Sequence, residues 1–286
     1  MPSDCPFESG PAEEIARVCD VAVAIGGDGT MLGAARAMAA YKVPVIGINA
    51  GRLGFITDIV LEDMNRLLPA MLLGQYVADE RSMLEGSVWR EDNLLFEGLA
   101  VNDIGISHGR ALGMVEYTVY VDGLQMAVQR ADGVLVSTST GSTAYAMAAG
   151  GPIMHPSVSS MLLVPIAPHT LSNRPIVLGS HTKIDIEVNE TRSAVASFDA
   201  QVLIDVQAGD VLRVKVSKER FTMLHPVGYN HFDLLRRKLK WNYLPQSEHP
   251  IHTPCRIRPR RFRFLIRQPQ KNCQTNISAH LTPSTN

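Results

Sequence analysis

The sequence predicts an α/β domain followed by a β-rich, sandwich-like domain, and three observations carry that reading. Two short runs, VAVAI (Val21–Ile25) and VPVIGI (Val43–Ile48), are apolar throughout, as strands buried on both faces of a parallel sheet must be. Between them Met31–Tyr41 is rich in Ala and Met and reads as a helix, which completes a βαβ unit with a right-handed crossover. From Ser82 to about Thr222 the pattern shortens and alternates between Gly, Asn and Asp turns, the mark of compact antiparallel sheets.

Composition narrows the class. A chain of 286 residues has room for two modest cores. Its formal net charge of −1 argues against a surface built throughout to hold nucleic acid. No stretch approaches the roughly 18 consecutive apolar residues of a membrane span, and Met1–Gly10 shows no basic segment followed by an apolar run, so no secretory signal is expected. Cys5, Cys19, Cys255 and Cys273 are scattered and form no CxxC; a disulfide framework or structural zinc is not expected, and a cytoplasmic location is.

Taken in order, residues 1–80 are expected to form the α/β domain, with a second helix over Val60–Leu73, where Met64, Leu67, Leu68, Met71 and Leu72 follow helical spacing. Residues 81–222 supply the strands MLEGSVWR, LFEGLAVNDIGIS, VEYTVYVDG, GVLVSTST, KIDIEVNE and VLRVKVSKE, with one helical candidate at Thr143–Ala149. Residues 223–242 are expected to return to the first domain as a strand end and closing helix. The last stretch, 243–286, loses periodicity and carries seven Lys/Arg against one acid, Glu248. RIRPRRFRFLIR (Arg256–Arg267) could grip nucleic acid or an anionic membrane, but the stretch reads as a disordered basic tail.

The strongest local signal is Gly26-Gly27-Asp28-Gly29-Thr30, placed between a buried strand and a helix. Glycines let the backbone approach a ligand closely, and a helix start presents free N–H groups and a positive dipole to a phosphate. An Asp there repels phosphate, so it makes sense as a group that handles a proton or hydroxyl beside the phosphate; the alternative is a plain helix cap. There is no G-x-x-x-x-G-K-[ST], which excludes a P-loop. Gly27, Gly29 and Gly33 give only a loose dinucleotide fingerprint, and Asn49 stands where a ribose-binding acid is expected.

Asn102-Asp103 interrupts the strand pattern LAVNDIGIS and marks a bend, a bulge or a binding edge. Gln129-Arg130-Ala131-Asp132-Gly133 leads into a loop with six hydroxyl residues in the seven positions 137–143. That loop suits ribose hydroxyls and a base edge, with Tyr145 placed to stack on an adenine; the alternative is a loop that caps a helix. Asp199-Ala200-Gln201 reads from spacing as a turn. There is no HExxH and no G-x-S-x-G, so a protein-held zinc and an α/β-hydrolase nucleophile are not expected. His108, His155 and His169 read as structural or surface residues.

Together GGDGTMLGAAR, GINAGRLGFITD, VNDIGISHG and QRADGVLVSTSTGSTAYAMAAGGPIMHP resemble, in order and spacing, the motif series of NAD kinases of the bacterial type. The similarity runs from about Ala16 to Trp241. GGDG alone is shared with diacylglycerol and sphingosine kinases, whereas GSTAYAMAAGGP is far more particular. The resemblance implies transfer of the γ-phosphate of ATP to the 2′-hydroxyl of NAD's adenosine ribose, giving NADP and ADP. By family role Asp28 would take or polarise the hydroxyl proton and Gly29 would line the site. Asn102 and Asp103 would hold adenine and ribose groups, Arg130 and Asp132 would bind the dinucleotide, and Thr143 and Tyr145 would frame the adenine. Ala144, Ala146, Met147 and Ala148 would continue that wall and Gln201 would add a polar contact. Mg²⁺ would arrive with ATP, and a homodimer or homotetramer is implied.

The chain departs from the family in three places. It has Asn102-Asp103 where Asn-Glu is more common. About forty residues that usually precede the glycine loop, and form the sheet's first strand and helix, have no counterpart, so the first domain is expected to lack them. The stretch after Trp241 matches nothing in the family. Other readings are a truncated or degenerate protein that binds NAD without consuming ATP, and a diacylglycerol-type lipid kinase, which leaves the hydroxyl-rich loop unexplained. A Rossmann-fold redox enzyme would need the acid missing near Asn49.

Overall fold

The computed structural model describes residues 10–51, 54–109, 113–241 and 266–267. Its first part winds helices around short apolar strands: α1 (Ala12–Ala16), β1 (Ala22–Gly26), α2 (Asp28–Ala39), β2 (Val45–Asn49), β3 (Ile59–Val60) and α3 (Met64–Leu72). β1 and β2 pair in parallel, Ala22 with Val45 through Gly26 with Asn49. Ala22, Ala24 and Val45 share a core with Met31, Leu32, Ala35 and Met38 of α2. Val23, Ile46 and Ile48 share another with Met71 of α3 and Leu224. Cover on both sides is why these strands read as unbroken apolar runs. The helix expected from Val60 starts later, because Ile59–Val60 pair with β2 as β3 and 61–63 form a single 3₁₀ turn.

The next part is mostly strand: β4 (Tyr76–Arg90), β5 (Asn93–Ala100), β6 (Asp103–His108), β7 (Val115–Val121), β8 (Leu124–Ala131) and β9 (Gly133–Thr138). A 3₁₀ turn at Gly141–Thr143 and the short α4 (Tyr145–Ala148) come next. They lead to β10 (Ser160–Ile166), β11 (Ile176–Gly179), β12 (Lys183–Glu190), β13 (Ala194–Phe198), β14 (Val202–Val206) and β15 (Asp210–Pro226). The chain then runs through α5 (His231–Leu239) to β16 (Ile266–Arg267).

Two sheets result among the described residues. One has six strands in the order β11-β10-β9-β6-β13-β14, all paired antiparallel. The other has ten strands and runs β16-β1-β2-β15-β12-β7-β8, with β3 on β2 and the β4–β5 pair on β15. Their inner faces meet in one core that includes Leu84, Tyr117, Ile186 and Leu212 from the larger sheet and Ile104, Val136, Met161 and Phe198 from the smaller. Phe96 and Phe198 cross edge-to-face with centroids 4.9 Å apart, a contact worth about 1 kcal/mol beyond its buried area.

β15 ties the two halves of the molecule together. It pairs antiparallel with β4 over nearly its whole length and with β12 at Val211–Lys215, and then lies parallel to β2 at Met223. At the outer edge of β1, β16 pairs in parallel, Val23 with Ile266. Apart from that two-residue strand, the expected disordered tail lies outside the described residues. No described helix is long and apolar enough to cross a membrane.

Candidate active site

The glycine loop aims Asp28 away from its own helix. Gly27 is the N-cap of α2, with no side-chain cap, so Asp28 is the first helical residue and not the cap that the alternative reading allowed. Its carboxylate crosses to the segment after β2 and lies over Gly54. There Oδ2 accepts the Phe55 N–H at 2.9 Å, and Oδ1 accepts those of Ile56 and Thr57 at 3.3 and 3.2 Å and the Thr57 hydroxyl at 3.0 Å. The segment is held from behind. Asp58 Oδ2 lies 2.9 Å from His225 Nδ1, and His225 Nε2 lies 3.4 Å from Asp79, an ion-pair distance rather than a hydrogen bond. Burial works against a charged His225, but Asp58 and Asp79 outweigh it and hold the ring's pKa above its ordinary value.

A second carboxylate organises the facing side. Polar Asn102 marks where the chain leaves one sheet for the other, from the end of β5 to the start of β6, as the interrupted strand pattern predicted. Asp199 makes that bend possible. Its side chain is fully buried and accepts the N–H groups of Val101, Asn102 and Asp103 at 3.0, 2.7 and 3.2 Å. Asp199 and Ala200 sit at φ of 52° and 53° in the turn joining β13 and β14, the left-handed conformation that tight hairpin turns use. Arg36 of α2 closes the link, donating through Nη1 to Asp199 and through Nη2 to Gln201 Oε1. Gln201 in turn donates to the Gly29 carbonyl at 2.8 Å. The side chain of Gln201, expected on the ligand, is thus engaged with the glycine loop and Arg36, and it joins the two halves of the site.

Between these halves lies a cavity of about 40 Å³ bordered by Asp28, Phe55, Asn102, Thr140, Thr143 and Ala144. Asn102 Oδ1 is buried there without a hydrogen-bond partner, a costly arrangement unless a ligand supplies a donor. Beside it Asp103 is 6% exposed, and burial together with neighbouring Asp199 pushes its carboxyl up to about 7. A larger cavity, about 330 Å³, opens between β4, β12 and β15 near Glu85, Trp89 and Lys183. There Lys215 pairs with Glu85 and Arg213 lies over Trp89, and Glu97, Lys183 and Asp185 also line it.

The hydroxyl loop departs from expectation. Ser137 and Thr138 donate to the carbonyls of Asn102 and Val101, Ser139 to that of Val158, Ser142 to that of Ser139 and Thr143 to that of Thr140. Five of the six hydroxyls therefore fold the loop and fasten it to the 101–102 bend. Gly141 packs so closely that a Cβ would fall 2.1 Å from the Asn102 carbonyl oxygen. Of the expected wall, Tyr145 and Ala148 are exposed and Ala144 and Met147 half-buried, while Ala146 is fully buried in a core with Leu135 and Leu162 and offers a ligand no side-chain surface. Arg130 and Asp132 sit at the passage from β8 to β9 and do not border the small cavity. Sequence reasoning missed Arg36, Gly54, Thr57 and Asp199 as site-builders. All lie in motifs already noted, but their spacing gives no hint of their partners.

Comparison with known proteins identifies the family. The ATP-NAD kinase N-terminal domain model matches residues 8–76 and the ATP-NAD kinase C-terminal domain model residues 101–225. An NAD kinase of Cupriavidus pinatubonensis is 53% identical over 240 residues, covering 84% of this chain and 79% of that protein. One of Ralstonia nicotianae is 51% identical over 241 residues, with 84% and 80% covered. Among solved structures, yeast NADH kinase complexed with NADH has a TM-score of 0.75 at 26% identity, covering 84% of this chain and 71% of that one. An NAD kinase from Archaeoglobus fulgidus in complex with ATP has a TM-score of 0.66 at 26% identity, covering 82% and 86%. The segments that build the small cavity lie within the matched regions, and the chain belongs to the ATP-NAD kinase family.

Proposed function

We propose that this chain is an NAD kinase in which Asp28 accepts the proton of the adenosine ribose 2′-hydroxyl as that oxygen attacks the γ-phosphorus of ATP. The new bond is ribose oxygen to γ-phosphorus. The bond broken is γ-phosphorus to the bridging oxygen that leaves with ADP, and the proton ends on Asp28 before passing to water. A neutral ribose hydroxyl is a poor nucleophile, so a carboxylate within reach contributes roughly 10²–10⁴-fold. The rest of the task is positioning and charge neutralisation. The observation that carries this reading is that Asp28 and the unpartnered Asn102 Oδ1 border one cavity at the start of α2.

In this reading Asn102 and Asp103 hold NAD's adenine and ribose, Thr143, Ala144 and Tyr145 frame the base, and Arg130 and Asp132 take the more distant part of the dinucleotide. Gly29, Met147 and Ala148 complete the walls through backbone and accessible side chains. Among the described residues no three His, Cys, Asp or Glu side chains are grouped so as to hold a metal ion, and Mg²⁺ is assigned to the triphosphate. When bound there it neutralises charge on the transferring group. A homo-oligomer is supported by Leu124, Met126 and Val128, all exposed along edge strand β8. A cytoplasmic location fits the free, buried Cys19.

The test is an assay of purified protein with ATP, Mg²⁺ and NAD, reading NADP through an NADP-specific dehydrogenase. Asp28→Asn is expected to lose roughly 10²–10⁴ in turnover with NAD binding little changed. Near-normal turnover in that variant would defeat the base assignment.

A further inference from the structure

We propose that Asn49 and Thr57 are positioning residues for Asp28, and that their hydrogen-bond polarity leaves Oδ2 as the oxygen that takes the ribose proton. This rests on the reading of Asp28 as proton acceptor. Asn49 ends β2 and is 2% exposed, and Thr57 is 1% exposed.

The direction of the chain follows from a fixed donor. The Gly51 N–H, which can only donate, lies 2.7 Å from Asn49 Oδ1, so the amide nitrogen of Asn49 must face the other way. There it donates to Thr57 Oγ1 at 2.8 Å. A threonine hydroxyl has one proton; with Asn49 donating to its oxygen, that proton goes to Asp28 Oδ1 at 3.0 Å. Among the described residues Oδ1 then receives three donors, from Ile56 N, Thr57 N and Thr57 Oγ1, and Oδ2 receives one, from Phe55 N. A carboxylate offers about four lone-pair sites, two per oxygen, so the open one is on Oδ2. Asn49, at the place where a ribose-binding acid was sought in the sequence, thus serves the reaction from behind: an Asp there could not donate to Thr57.

Steady-state kinetics of Thr57→Val, Thr57→Ser and Asn49→Asp test the assignment, with thermal denaturation as a check on folding. Thr57→Val keeps the side chain's shape and removes the hydroxyl. Its kcat is expected to fall roughly 10- to 100-fold, the range for a lost hydrogen bond to a charged group, with KM for NAD and ATP within about threefold. Thr57→Ser restores most of kcat. Asn49→Asp draws the hydroxyl proton to itself and lowers kcat as Thr57→Val does. In an Asp28→Asn background Thr57→Val costs nothing further, a result that general loosening of the fold would not give.

A Thr57→Val enzyme with kcat within about threefold of the parent overturns the proposal. So does a loss that appears in KM for NAD with kcat intact, or a full extra loss in the Asp28→Asn background. If Asn49→Asp does not fold, the two Thr57 variants and the double variant decide alone. An Asp28→Asn enzyme that keeps its turnover defeats the base assignment itself. An inactive Asp28→Asn beside an unaffected Thr57→Val defeats only the positioning assignment.

Discussion

Asp28 and any side chain at residue 54 exclude one another: a Cβ on Gly54 would fall 1.7 Å from Asp28 Oδ1 and 2.6 Å from Oδ2. Real contacts of that kind do not occur below about 3 Å, so even one methyl group displaces either the carboxylate or the backbone that cradles it. The glycine is therefore a condition for where the carboxylate stands.

Gly54→Ala is accordingly expected to lower kcat by about 10²-fold or more, since a shift of roughly 1 Å at a reacting group has that effect. The NAD dissociation constant changes far less, because the bend at 101–103 and the 137–143 loop are untouched. Stopped-time assays alongside NAD titration check this. Turnover within a factor of about three would show that the carboxylate can be placed elsewhere at no cost.

Asp103 gives a pH dependence. Its folded pKa of about 7 lies above the ordinary carboxylate value of 3.8, so across that window the folded protein holds a proton that the unfolded chain has released. Stability therefore falls as pH rises from about 4 to 7, because unfolding releases that proton, and levels off above, where both states are ionised and bind no proton there. Asp103→Asn cannot ionise and escapes the decline. Relative to the parent it is expected to gain on the order of 3 kcal/mol between pH 4 and 8, while NAD binding weakens. Urea midpoints at the two pH values measure it; parallel curves for parent and variant would mean that Asp103 is ionised throughout.

Removing Arg36 leaves Asp199 charged and fully buried with only backbone donors. Arg36→Met is expected to cost about 3–5 kcal/mol, the range for breaking one side of a buried pair, and to raise KM for NAD by loosening the bend that presents Asn102. Arg36→Met combined with Asp199→Asn should recover part of the stability, since no charge is then stranded. Chemical denaturation of the single and double variants beside the parent checks both points. A single variant as stable as the parent would place Asp199's support in the three N–H groups alone.

How much of this was legible in the sequence differs from residue to residue. β1, the glycine loop and α2 were readable because a doubly covered strand is apolar on every residue and a helix start has its own composition. The bend at Asn102 was readable because polar residues break an apolar strand. Its cause was not, because Asp199 lies 97 residues away and only the folded chain brings the two together. The hydroxyl loop was read for its composition as a ligand surface, yet most of its donors are spent on nearby carbonyls. Strands β8, β10, β11, β13 and β14 are not among those the sequence pattern picks out, and β10 contains Pro165. β11 pairs with β10 only as far as Leu163, so the absent N–H of Pro165 breaks no ladder on that side. The hydrogen-bond direction from Asn49 through Thr57 to Asp28 could not be read at all, because it depends on which end of an amide faces which neighbour.

β15 carries one further consequence. A single strand of 17 residues runs from the ladder shared with β12 to its contact with β2, and β4 shadows it for most of that distance. In mechanical terms the two halves of the cleft are mounted on one beam. Opening them like a jaw would mean bending a hydrogen-bonded ribbon across its width, whose ladder is interrupted only at the register shift between Val216 and Arg220. Twisting it lengthwise costs little. Whatever adjustment accompanies arrival of the nucleotides is therefore expected as a small torsion of the beam and a resettling of the short loops it supports, and solution scattering of the free and NAD-bound protein should show nearly equal radii of gyration.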